Sequence, residues 1–332
     1  MSKQLFTPDR VSTHLDKFVV GQIDAKKTLG IAVYNHFKRI HQPTGAEMGK
    51  SNVLMTGPTG SGKTHLATVL AKSLGLPIFI ADATHITSSA NPEKVIENIF
   101  IRLIKAAGGN VNLAEKGIIV LDEIDKLVSG ANMERGKTFQ HAMLKIVEGT
   151  TVNIEINDLK IPFNTKNVLF IACGTFVELS KMIKERLADS RAASMTEDEL
   201  VKQASTDDFA QFGLIPELRG RLPIVVSLNT LDLEELTKVL TEPVNSITSQ
   251  YRKMLAIDGV KLVFSPNALT EIAEQAIKLK TGARGLRTIL EKTMTDVIFH
   301  AAENSGKKVI ITRGVVQGTK PPTYEDADKK ES

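Results

Sequence analysis

The sequence predicts an α/β fold, a parallel sheet flanked by helices followed by a smaller, mainly helical domain, and three observations carry that prediction. Short apolar runs alternate with amphipathic stretches over residues 1–228, the pattern of strands buried in a parallel sheet. One such run, Asn52-Val53-Leu54-Met55, leads through a glycine-rich loop into the helical pattern of residues 65–72. At Asn229-Thr230-Leu231-Asp232 the alternation gives way to helices, which puts a boundary there and a second domain over 229–318. Residues 319–332, rich in Pro, Asp and Lys, read as a disordered tail.

The loop is Gly57-Pro58-Thr59-Gly60-Ser61-Gly62-Lys63-Thr64, which fits G-x-x-x-x-G-K-[ST] between a strand and a helix. Glycines let backbone N–H groups fold around a polyphosphate, and the following helix turns its positive end to the same anion. Lys63 is expected to reach the β- and γ-phosphates, and the Thr64 hydroxyl to ligate Mg²⁺. The second chemical element is Gly117-Ile118-Ile119-Val120-Leu121-Asp122-Glu123-Ile124-Asp125, an apolar strand that ends in acids where open α/β sheets bind ligands. Asp122 is the expected holder of the Mg²⁺ shell, and Glu123 is placed to orient and deprotonate the attacking water.

Bulk composition sets the limits. The 332 residues are 42% hydrophobic and 24% charged, ordinary for a globular chain of about two domains. The longest apolar runs fall short of a membrane span and the N-terminus lacks a signal peptide's apolar core, so a cytoplasmic protein without a membrane partner is expected. The single cysteine, Cys173, excludes an internal disulfide and reads as a small core residue. A net charge of +4 spread along the chain disfavours a dedicated nucleic-acid binder.

In chain order, a short helix is expected over 7–17, a strand-like step at Phe18-Val19-Val20-Gly21-Gln22, and a helix over 23–41. Residues 43–49 read as a loop, 77–82 as a strand, 85–92 as a polar loop and 93–107 as a helix. An amphipathic helix follows over 137–147, then a hairpin over 151–163 turning at Asn157-Asp158. Residues 167–175 form another buried strand, whose last residue, Thr175, either senses a γ-phosphate or caps the next helix. Residues 187–208 are polar, with a helix start at Met195-Thr196-Glu197. Beyond them Phe212-Gly213-Leu214-Ile215-Pro216-Glu217-Leu218-Arg219-Gly220-Arg221-Leu222-Pro223 reads as a constrained loop presenting an arginine, either to a neighbouring phosphate or to a surface ion pair. In the second domain helices are expected over 232–240, 243–255, 266–279 and 283–303, with strands at 260–264 and 308–316.

These motifs, in this order, resemble the ClpX branch of the AAA+ ATPases over roughly residues 8–316. Besides the phosphate loop, the resemblance rests on Val19-Val20-Gly21-Gln22, Gly49-Lys50-Ser51-Asn52, Ala81-Asp82-Ala83-Thr84, Leu121-Asp122-Glu123-Ile124-Asp125-Lys126, Phe212-Gly213-Leu214-Ile215-Pro216-Glu217, Gly220-Arg221-Leu222-Pro223 and Thr281-Gly282-Ala283-Arg284-Gly285-Leu286-Arg287. It implies an AAA+ phosphate-loop sheet domain followed by a small helical domain, ATP and Mg²⁺ as cofactors, and self-association into a ring, usually a hexamer. It further implies that Val19 and Val20 contact adenine, that Arg221 acts on the neighbouring subunit's nucleotide, and that Arg284 senses the γ-phosphate. Arg219 has no counterpart, which leaves open which of Arg219 and Arg221 faces phosphate.

The sequence departs from that family where the family holds its substrate. Ala90-Asn91-Pro92-Glu93 stands where an aromatic Gly-Tyr-Val-Gly pore loop is expected, and the second pore loop is reduced to the hairpin around Asn157-Asp158-Leu159-Lys160. The Ile-Gly-Phe loop that docks on the ClpP peptidase has no match in 187–208, and the family's cysteine-rich zinc domain is expected to be missing. The expected function is therefore an ATP-driven unfolding or remodelling chaperone working without ClpP. The alternative is a non-threading AAA+ regulatory or assembly switch, alone or mixed with an ordinary ClpX.

Overall fold

The computed structural model describes residues 7–41, 49–87, 91–128, 133–188 and 190–326. They form two compact units. The first takes the described parts of Met1–Leu15, Gln22–Pro58 and Lys63–Asn229, and the second those of Asp16–Gly21, Thr59–Gly62 and Thr230–Ser332.

The first unit is built on strands β1 (Val53–Thr56), β2 (Ile78–Asp82), β3 (Ile118–Asp122), β4 (Thr151–Ile156), β5 (Leu159–Asn164), β6 (Leu169–Gly174) and β7 (Ile224–Ser227). Five make one sheet in the order β2-β3-β6-β1-β7, every pair parallel. β1 and β6 are buried throughout, as expected of strands covered on both faces. The helices are α1 (Pro8–Asp16), α2 (Ile23–His41), α3 (Lys63–Leu74), α4 (Ala83–Thr87), α5 (Pro92–Ala106), α6 (Val111–Ala114), α7 (Met133–Glu148), α8 (Leu179–Leu187), α9 (Ser190–Ser194), α10 (Glu197–Lys202), α11 (Thr206–Phe212) and α12 (Pro216–Gly220). A continuous core of Phe100, Phe139, Phe163, Phe170, Phe176 and Phe209 with aliphatic neighbours joins α4–α12 to the strands. β4 and β5 form a separate hairpin, and Asn157 and Asp158 at φ 52 and 63 give it the mirror-image turn that matches strand twist. It is fixed to the helices by Glu155 N–H donating to Glu97 and Asn164 N–H donating to Glu115, both at 2.6 Å.

The second unit holds α13 (Leu233–Thr241), α14 (Ile247–Ile257), β8 (Lys261–Phe264), α15 (Pro266–Lys278), α16 (Ala283–Phe299), β9 (Lys307–Ile311), α17 (Arg313–Val316) and β10 (Thr323–Asp326) around its own core. β9 pairs parallel with β8 and antiparallel with β10. Asp232 starts α13 with a reciprocal capping pair to Glu235.

Several sequence expectations are corrected. Residues 18–22 make no strand, because Gly21 and Gln22 turn the chain through two left-handed conformations at φ 62 and 56. Part of the loop expected over 85–92 is helix α4, started by Asp82, whose carboxylate accepts from Thr84 N–H at 2.8 Å; residues 88–90 lie outside the described residues. The loop over 212–223 contains helix α12, with Pro216 in its first turn. The strand expected over 308–316 ends at Ile311, and Thr312 opens α17. Residues 323–326, read as disordered from composition, are strand β10, which β9 holds through a backbone ladder and a half-buried Tyr324. The loop at 43–49 falls almost wholly outside the described residues. No described helix is long and apolar enough to cross a membrane.

Candidate functional site

β1 and β3 are not neighbours, since β6 lies between them, and the register sets Thr56 beside Gly174 and Leu121 beside Ala172. The carboxyl ends of these three strands therefore open on one edge of the sheet, the position at which open α/β sheets bind ligands.

The loop after β1 takes conformations that only glycine adopts freely, with φ of 150, 76 and 97 at Gly57, Gly60 and Gly62. Helix α3 starts at Lys63, so the N–H groups of its first turn point into the loop. The Lys63 ammonium donates to the carbonyls of Gly57 at 2.7 Å and Pro58 at 3.0 Å, and is 9% exposed. The Thr64 hydroxyl donates to Asp122 Oδ2 at 2.6 Å, which ties the start of α3 to the end of β3. Asp122 Oδ1 accepts from Glu123 N–H at 3.0 Å, and Glu123 itself is left-handed at φ 56, ψ 38. Lys63, Thr64, Asp122 and Glu123 are thus gathered at one sheet edge, as their spacing predicts.

Asp125 carries no predicted role beyond its place in the motif. It is 4% exposed and accepts from Thr175 N–H at 3.3 Å and Phe176 N–H at 3.4 Å, joining the turn after β3 to the end of β6. A Cβ on Gly174 would lie 2.5 Å from the Phe176 ring and 3.0 Å from Asp125 Oδ1, so the crossing admits only glycine. Thr175 does not cap the next helix: Glu178 holds the N-cap position of α8. Cys173 is fully buried, and burial together with the Asp122 charge pushes its thiol up, away from reactivity.

The two arginines of the α12 segment part company. Arg219 turns inward, donating through Nη1 to Leu222 O at 2.8 Å with its guanidinium over the Phe209 ring, and burial lowers its pKa. Arg221, at the C-cap of α12, is half exposed and pairs through Nη2 with Glu148 at 2.8 Å. Beneath this pair lies Asn52, 1% exposed, whose amide donates to Arg221 O at 3.0 Å and Val147 O at 3.2 Å while its carbonyl accepts from Phe170 N–H at 3.1 Å. The sequence assigns no role to Glu148, and none to Asn52 beyond its place in motifs. A carboxylate at the end of a helix, where the dipole disfavours it, was the available signal for the first.

Val19 and Val20 belong to the second unit, Val19 buried and Val20 half-buried, as do Arg284 and the loop tip Thr59, Gly60, Ser61 and Gly62. Arg284 is exposed in the first turn of α16, and within the second unit the preceding Ala283 N–H donates to Gly60 O at 3.0 Å. Gln22 of the same sequence motif belongs instead to the first unit, where its side chain donates to Asn229 O and accepts from Asn229 N–H, both at 2.9 Å.

Thr64 and Asp122 offer hard oxygen donors, the type Mg²⁺ takes. The described residues contain no group of three or more His, Cys, Asp or Glu side chains that could form an all-protein metal cage. Mg²⁺ beside phosphates needs none, because it is commonly held by one or two protein groups plus phosphate and water.

Residues 49–225 match the family model "AAA domain (Cdc48 subfamily)", and residues 231–308 match "C-terminal, D2-small domain, of ClpB protein". The chain is similar to the ATP-dependent Clp protease ATP-binding subunit ClpX of Borrelia duttonii, 44% identical over 94% of this chain and 79% of the relative. The subunit of the same name from Treponema denticola is 43% identical over 92% and 80%, and that from Bacteroides fragilis 40% over 93% and 80%.

Proposed function

Because the chain belongs to the ClpX family of AAA+ ATPases, and is an ATP-binding ATPase, we propose that it is a ring-forming protein-remodelling chaperone that works without ClpP. The observation that carries the hydrolytic site is the 2.6 Å joint between Thr64 and Asp122, with Glu123 next in the chain. In this reading the loop Gly57-Pro58-Thr59-Gly60-Ser61-Gly62 wraps the phosphates and Lys63 leaves its carbonyl partners for the β- and γ-oxygens. Thr64 and Asp122 hold Mg²⁺, which when bound neutralises charge on those oxygens. Glu123 orients the attacking water and takes its proton. Val19 and Val20 contact adenine, Arg284 senses the γ-phosphate within the chain, and Arg221 acts on the triphosphate held by a neighbouring copy. The inward commitment of Arg219 supports Arg221 as the trans-acting residue. Ring assembly, most simply a hexamer, follows from that trans role.

Independence from ClpP is supported by the segment in which a docking loop would be needed. Arg186 pairs with the buried Asp208 at 2.7 Å, and the chain between them holds α9, the capped helix α10 and the capped start of α11. A second reading, an assembly or regulatory switch that does not thread its client, is favoured by Asn91. Where a gripping aromatic loop is expected, this side chain accepts from Glu93 N–H at 3.0 Å and Lys94 N–H at 3.2 Å and serves as the cap of α5.

Unfolding of a tagged fluorescent protein separates the two. Remodelling requires an ATP-dependent loss of fluorescence that vanishes in Glu123→Gln. Vigorous ATP turnover with fluorescence intact, tagged or untagged, would overturn the chaperone reading in favour of the switch.

A further inference from the structure

We infer that Glu148 is a positioning residue for Arg221, holding its guanidinium on the surface in the orientation that meets a triphosphate bound by a second copy of this chain. The inference rests on the trans-acting reading of Arg221. Three features carry it. Glu148 is the last residue of α7, where unpaired carbonyls make an anion unfavourable, so its carboxylate opposes the helix and is answered by Arg221 at 2.8 Å. Both side chains are half exposed, a setting in which an ion pair adds little stability but does restrict a flexible arginine. The pair also has a rigid mount: Asn52, buried directly before β1, hydrogen-bonds the carbonyls of Val147 and Arg221 and so fixes both backbones against the strand that leads into the phosphate loop.

The pair borders a surface pocket of about 340 Å³ lined by Leu144, Lys145, Glu148, Glu217, Gly220 and Arg221. A guanidinium has five N–H donors in one plane, so engaging Glu148 through Nη2 leaves donors for phosphate oxygens. Glu148 therefore orients Arg221 while it acts, rather than having to release it first.

The test is steady-state ATP hydrolysis by the assembled full-length chain carrying Glu148→Ala, Glu148→Gln, Arg221→Ala or the Glu148→Ala/Arg221→Ala pair. Glu148→Ala is expected to lower kcat about 5- to 20-fold with KM for ATP within about twofold, since the nucleotide's own pocket is untouched. Glu148→Gln, which keeps shape and acceptor but loses charge, is expected to fall between Glu148→Ala and the unmodified chain, and it gives the same reading if the alanine variant does not assemble. The double variant is expected to match Arg221→Ala, because Glu148 acts only through that arginine. Unchanged kcat in both Glu148 variants, with turnover lost in Arg221→Ala, overturns the inference and leaves the trans reading standing. An equal fractional loss from Glu148→Ala in the Arg221→Ala background also overturns it. Normal turnover in Arg221→Ala overturns the trans reading and the inference with it.

Discussion

Glu123 sits in left-handed backbone at φ 56 and ψ 38, a conformation that costs a non-glycine residue roughly 1–3 kcal/mol. The strain is concentrated at the first residue after β3, beside the carboxylate that receives the Thr64 hydroxyl. Two side chains run against local electrostatics instead, the cation Arg284 at the start of α16 and the anion Glu148 at the end of α7. In the proposed reading the first of these senses the γ-phosphate and the second positions Arg221, so neither is placed for the stability of its own helix. Asn52 is the opposite case, a buried polar group satisfied by three backbone partners. Asn52→Ala leaves those partners unpaired and is expected to destabilise the first unit by about 3 kcal/mol in urea unfolding. A loss below about 1 kcal/mol would show that water replaces the amide there.

At the scale of elements, the hairpin β4–β5 is held by Glu97 and Glu115 and by Phe163, whose ring lies tilted against Phe100 with centroids 4.8 Å apart. Its turn residues, Asn157 and Asp158, both adopt positive φ, and Leu159 beside them is 67% exposed. Glycine takes the second turn position without strain, so Asp158→Gly is expected to raise stability by about 0.5–1 kcal/mol, read as a higher urea midpoint with an unchanged slope. A lower midpoint would mean that the aspartate makes a compensating contact. The pattern of the hairpin was legible in the sequence from its alternation and its Asn-Asp pair. α4 was not, because a five-residue helix leaves no periodic signal and depends on one cap from Asp82. β10 was equally invisible, since its charged composition, Tyr324-Glu325-Asp326 among prolines and lysines, is redeemed only by pairing with β9.

Across the molecule, a pH dependence of stability follows from basic groups buried around the start of the sheet. His36 is held down at about 4, first by burial and then by Arg39. Lys50 is held down at about 7, again by burial and then by Arg39, with its ammonium on Thr165 O at 3.0 Å and over the Phe170 ring. Both groups bind protons more readily when unfolded, so their contributions are fully present above the unfolded pKa values and are lost as pH falls through about 6.5 to 4 for His36 and about 10.5 to 7 for Lys50. Between pH 7.5 and 9.5 the unmodified chain is expected to gain on Lys50→Met by up to about 1.4 kcal/mol per pH unit in urea unfolding. Parallel stability curves for the two proteins would refute a half-buried Lys50 that sheds its proton on folding. The sequence by itself determined the family, the strand–loop–helix order around residues 57–64 and the strand that ends in Asp122, because contiguous motifs encode local backbone geometry within a few residues. Tertiary structure alone decided that Asp125 braces Thr175, that Gln22 clasps Asn229, and that Arg221 rather than Arg219 turns outward to meet Glu148. Those relations join residues distant in the chain, and only the packing of strands and helices brings their atoms within hydrogen-bonding reach.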